Sequence, residues 1–90
     1  MLEVVKNLEK ADLEDTIYAV DPWTESSEAV LLREDPIGSI PAPARDFGMS
    51  YFIEVAIAKE FLEDWAASQP TTPTEKEKCA RLIRYAKNDA

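Results

Sequence analysis

The stretch from Ser50 to Ser68 constrains this chain more than any other, because it is the longest apolar-rich segment. At about 100° per residue, Ile57, Ala58, Phe61, Leu62, Trp65 and Ala66 fall on one side. Lys59, Glu60, Glu63 and Asp64 fall on the other, which is the pattern of an amphipathic helix. Ser50 is a candidate N-cap. The first residues break the pattern. Phe52 and Ile53 point toward the polar side, and Glu54 toward the apolar side. Either the first turn is buried on more than one side, or residues 49–55 form a third strand. The expectation taken forward is a helix from about Ser50.

The segments before it are shorter. Residues 2–10 carry good helix formers and an apolar i,i+3 pair, Val5 and Leu8, so a short N-terminal helix is expected. Thr16 to Val20 is β-branched and aromatic and reads as a strand. Asp21-Pro22 stops it, with Pro expected at the second position of a type I turn. Ala29 to Glu34 is a second apolar run, ended by Asp35-Pro36. Two runs joined by about eight residues pair most simply as a wide antiparallel hairpin. Residues 35–48 hold three prolines and two glycines, so no regular element is expected there. Ile40-Pro41-Ala42-Pro43 should be extended. Ile37, Ile40 and Phe47 imply that this long loop wraps the core.

Beyond the central segment, Gln69-Pro70 ends the helix, since the residue before Pro avoids helical geometry. Thr72-Pro73-Thr74-Glu75 then opens another. Thr72 reads as its N-cap, Pro73 as its first residue and Glu75 as the other half of a capping box. Cys79, Leu82, Ile83 and Ala86 give this last helix its apolar face, flanked by Tyr85. A short loop between consecutive helices implies an antiparallel pair. The fold class is therefore α+β: a short antiparallel hairpin or sheet packed against two C-terminal antiparallel helices, with a short N-terminal helix. Ninety residues make one acidic domain, 1–90. A chain this short buries only roughly 60–65% of the surface its unfolded form exposes, so dimerisation is a natural way to add burial.

Charge bears on partners. Eighteen acidic residues against ten basic leave a net charge of −8. That argues against nucleic acid and anionic membrane, which need a positive footprint. The charge is uneven. Residues 1–72 hold fifteen carboxylates and five cations, a net −10, and residues 73–90 hold three carboxylates and five cations, a net +2. No basic leader precedes an apolar run, and no run is long enough to span a bilayer. The single cysteine, Cys79, cannot form an internal disulfide, so a cytoplasmic location is expected.

The chemistry available is narrow. There is no histidine, which removes Ser/His and Cys/His catalysis and most zinc sites. Two glycines, Gly38 and Gly48, build no phosphate cradle. The pairs Glu14-Asp15, Glu34-Asp35 and Glu63-Asp64 lack the spacing of a calcium loop and read as solvated surface. Cys79 and Trp65 read as core. No catalytic residue, metal or cofactor is expected, and an enzyme is not expected. Trp23 differs, standing alone among Asp21, Thr24, Glu25 and Glu28. It either folds back to cap the sheet or is an exposed anchor for a basic partner.

An early Ile17-Tyr18 strand, Trp23 before the second strand, Gly48 with Tyr51-Phe52, and a terminal Tyr85 through Asn88-Asp89-Ala90 form a layout. It resembles a group of small uncharacterised bacterial domains. The chain also looks like the small acidic immunity proteins that neutralise bacterial toxins, in size, charge and style. Neither resemblance implies catalytic residues. The expected function is non-enzymatic protein binding, immunity-like or inhibitory. Asp12, Glu14, Asp15, Asp21, Trp23, Glu25 and Glu28 would mask a basic partner surface, such as a toxin's. The alternative is an assembly module, a homodimer through helices 50–68 and 73–87. Lys76, Arg81, Arg84 and Lys87 would then form a face that pairs with acidic groups within the chain or across the dimer.

Overall fold

The structure, a computed structural model, describes residues 1–34, 36–37 and 39–89, the side chain of Asp89 excepted. Asp35 (as strand stop and as half of the Glu34-Asp35 pair), Gly38 and Ala90 lie outside the described residues. The elements in order are α1 (Leu2–Lys6), a 3-10 turn (Leu8–Lys10), β1 (Asp15–Val20), β2 (Ala29–Arg33), α2 (Ala42–Asp46), β3 (Met49–Glu54), α3 (Val55–Ala67) and α4 (Glu75–Asp89). The three strands form one antiparallel sheet in the order β2-β1-β3. The mixed α+β architecture, the wide hairpin and the short N-terminal helix are as the sequence implies.

Successive side chains of β1 point to opposite faces, and both faces are covered, so Thr16, Ile17, Tyr18 and Ala19 are all buried. Ile17 and Ala19 enter the main core with Phe52, Val55, Leu62, Cys79 and Leu82. Tyr18 enters a second cluster on the other face, with Ala44 and Met49 and with Val20, Val30, Leu32 and Ile40 around it. Helices cover the first face. The second is covered by the proline-rich segment, which wraps the sheet as expected, but through Ile40 and Ala44. Ile37 and Phe47 remain 86% and 72% exposed, contrary to the expected packing.

Residues 49–54 are a strand and not the first turns of the helix. The register explains the broken polarity. Ile17 pairs with Ile53 and Tyr18 with Tyr51, so Phe52 is the extra residue of a β-bulge. A regular strand would send Phe52 and Ile53 to opposite faces. With the bulge both are buried in the same core. Glu54 then passes directly into α3 with no intervening loop.

Three further expectations are corrected. The segment 35–48 contains the short helix α2. Pro41 is extended, with φ −56° and ψ 144°, but the chain turns helical at Ala42. Pro43 is tolerated because the first helical N–H groups have no partner to lose. The cap of α4 is Thr74, two residues later than expected. The Glu77 N–H donates to Thr74 Oγ1 at 3.1 Å and the Thr74 N–H donates to Glu77 Oε1 at 2.9 Å, so the box is Thr74 with Glu77. The Asp21-Pro22 bond is cis, unlike the type I turn expected there.

Gly48 joins α2 to β3 at φ +70°, where nothing lies within 4 Å of an added Cβ. Backbone strain is thus the whole penalty of a side chain. Gly48→Ala should lose about 1 kcal/mol in urea unfolding, and Gly48→Asn less, because Asn tolerates this conformation. The Thr74 N–H and hydroxyl hold the Glu77 carboxyl below its usual range. A lowered folded pKa means that its contribution is complete above the unfolded value and is lost as pH falls through the folded one. The stability gap between the native chain and Glu77→Gln should therefore be present at neutral pH and close in acid. Thr74→Ala should lose about 1 kcal/mol.

Candidate functional site

The seven residues expected to form one acidic surface fall into two groups. Asp12, Glu14 and Asp15 gather around Arg33 at the end of β2. Arg33 reaches Asp12 at 3.1 Å, Glu14 at 3.2 Å and Asp15 at 3.4 Å. The hydrogen bond to Asp15 leads in raising the Arg33 pKa, with Asp12 and Glu14 adding to it and desolvation opposing. One cation thus offsets part of this acidic group from within. Asp21, Trp23, Glu25 and Glu28 lie at the other end of β1, in the hairpin loop. Five strand residues, Thr16 to Val20, lie between the groups and span roughly 17 Å.

In the hairpin loop, Asp21 accepts a hydrogen bond from Ser50 Oγ at 3.1 Å. Glu25 meets Lys76 at 3.8 Å, with both side chains largely in water. Trp23 folds back. Its ring meets Phe52 edge to face, 4.8 Å between centroids and 88° between planes, beside the main core. Its indole N–H is enclosed with no hydrogen-bond acceptor among the described residues. The basic face is also divided. Lys76 pairs with Glu25, and the Arg81 guanidinium lies 5.0 Å from the Phe61 ring centroid. Arg84 and Lys87 are exposed and in no ion pair among the described residues.

The helices α3 and α4 run antiparallel, since Ile57 and Phe61 lie by Tyr85 while Leu62 and Ala66 lie by Lys78. Two clefts flank their contact. One, of about 280 Å³, is lined by Val5, Leu8, Leu62 and Ala66 with Glu9, Lys59, Glu63 and Lys78 around it. Its two cations and two carboxylates balance, and Lys59 already donates to the Glu9 carbonyl at 3.3 Å. The other, of about 250 Å³, is lined by Ile57, Glu60, Phe61, Asp64 and Tyr85. Phe61 and Tyr85 stack with centroids 3.9 Å apart at 16°. Glu60, Glu63 and Asp64 are exposed on α3 and in no ion pair among the described residues.

This second cleft was missed in the sequence. Its signal was there in part: Ile57 and Phe61 lie within a turn of Glu60 and Asp64, so the apolar and acidic faces of α3 meet along one edge. Tyr85 comes from the neighbouring helix, and no spacing within α3 reveals it. Among the described residues, no three metal-binding side chains gather, and no helix is long and apolar enough to cross a membrane. Cys79 is buried, and burial pushes its thiol pKa up, away from nucleophilic chemistry. No family model, no curated protein and no solved structure matches the chain.

Trp23 can be tested as a structural residue. Removing a large ring beside the core should be expensive, so Trp23→Ala should lose about 2–4 kcal/mol in urea unfolding. Trp23→Phe keeps an aromatic edge for Phe52 and removes an enclosed donor whose burial costs roughly 1–3 kcal/mol. It should stay within about 1 kcal/mol of the native chain. A native-like Trp23→Ala would mean that the indole contributes nothing to the fold.

Proposed function

We propose that the chain is a non-catalytic binding protein, immunity-like or inhibitory, that masks a basic surface on a protein partner. The observation that carries this is where the cations go. Lys6, Arg33, Lys76 and Lys78 each pair with carboxylates of the chain itself, and Lys59 is turned to a backbone carbonyl. The acidic outer side of α3 and Glu28 of the hairpin loop have no such partner among the described residues. Lys10, Arg45, Arg84 and Lys87 are exposed and in no ion pair among the described residues, but the net charge of −8 leaves negative charge in excess on the outside, where it steers association with a positive surface and disfavours a negative one.

A second reading, assembly as a homodimer, draws on one observation. Arg84 and Lys87 on α4 and the acids of α3 are exposed and in no ion pair among the described residues, so two copies could exchange these charges. The masking reading expects a monomer of 10.1 kDa by sedimentation at micromolar concentration. A stable mass of twice that favours the dimer.

The test of masking uses a partner recovered from the native host and identified. Its affinity should fall steeply with added salt, because exposed charges are screened within about 10 Å at 0.1 M. It should also fall in the isosteric variants Glu60→Gln, Glu63→Gln and Asp64→Asn, with helicity by circular dichroism unchanged. Affinity indifferent to both salt and neutralisation would contradict the proposal.

A further inference from the structure

We infer that the cleft between Ile57, Glu60, Phe61, Asp64 and Tyr85 receives an arginine side chain of a protein partner; this rests on the masking reading and names the contact that would carry it. Size argues first. Small-molecule pockets hold about 300–1,000 Å³, whereas this cleft holds about 250 Å³ and is open to solvent along α3. It suits one long side chain better than a cofactor.

Its lining argues for the charge. Phe61 and Tyr85 present a stacked aromatic floor, and Ile57, 40% exposed, adds an apolar wall. Glu60 and Asp64 stand four residues apart, on one side of α3, and line the same cleft as the two rings. An apolar body beside two carboxylates matches a side chain with an aliphatic stem and a cationic head. An anionic group would meet both carboxylates. A hard cation would find only two carboxylate side chains, too few for the six or more oxygens that calcium takes.

Arginine suits the cleft better than lysine. A planar guanidinium stacks on an aromatic face and offers forked donors to two carboxylates, while an ammonium is a compact, strongly hydrated point charge. The chain already makes one such contact at the same ring, with the Arg81 guanidinium 5.0 Å from the Phe61 centroid. Tyr85 and Arg81 already lie against the Phe61 ring, so a partner's arginine would pack its stem along the cleft beside these rings and bring its head to Glu60 and Asp64.

The experiment is an amide chemical-shift titration at low ionic strength with an end-blocked Gly-Arg-Gly peptide. Gly-Lys-Gly and Gly-Gln-Gly are run beside it. The arginine peptide should shift Ile57, Glu60, Phe61, Asp64 and Tyr85 most, the lysine peptide should bind more weakly, and the glutamine peptide should shift none of them. The double variant Glu60→Gln with Asp64→Asn should weaken binding roughly 3- to 10-fold, with an unchanged spectrum elsewhere as the check on folding. Shifts centred on Asp21, Glu25 and Glu28 would overturn the cleft and leave the masking function standing. Equal shifts with the glutamine peptide would overturn the cleft as a cation site. No shifts with any peptide would overturn the cleft and leave the masking function to its own test by salt and neutralisation.

Discussion

The fold depends on two consecutive side chains, Phe52 and Ile53, reaching the same core. A strand cannot do this without an extra residue, and the bulge opposite Ile17 and Tyr18 supplies it. From there the other contacts follow. Phe52 offers its ring to the edge contact with Trp23, which ties the hairpin loop to the core. Ile53 stays in register with Ile17, keeping β3 on the central strand. Glu54 then turns without a loop into α3, so the bulge also helps to set how that helix leaves the sheet.

The consequence for function lies on the far side of α3. Val55, Ala58 and Leu62 are buried against the sheet and the neighbouring helices. With that side committed to the core, Glu60, Glu63 and Asp64 face water. α4 lies antiparallel beside α3 and brings Tyr85 onto Phe61. An acidic edge and an aromatic floor are thus placed together by the same packing that buries the core. The acidic group at the base of the hairpin is different, since Arg33 partly offsets it from within. Local charge count is a poor guide to which carboxylates a partner meets; the placement of the cations decides it.

Much of the fold was legible because it follows simple periods. The apolar face of α4, Cys79, Leu82, Ile83 and Ala86, repeats at helical spacing and is buried as read. Thr16 to Val20 is short, β-branched and bounded by Asp21-Pro22, and it is a strand. What was less legible departs from a period or depends on distance in space. The bulge at Phe52 looks in sequence like a helix with a faulty first turn. Thr72 and Thr74 each stand three residues before a glutamate, so two capping frames overlap and the hydrogen bonds select the second. The acidic residues from Asp12 to Glu28 are neighbours in sequence, but an intervening strand divides them. Tyr85 meets Phe61 only through the packing of two helices, and the cleft between them has no linear signature.

The measurement that bears most directly on this account is the pattern of nuclear Overhauser contacts for residues 49–54. A bulged strand predicts cross-strand contacts between Ile17 and Ile53 and between Tyr18 and Tyr51, with Phe52 protons close to the Trp23 ring. Contacts between residues three apart from Ser50 onward, with none to β1, would instead mean that the helix begins at Ser50. In that case Phe52 and Ile53 would not share a core face, and the basis for placing the acidic side of α3 would be gone.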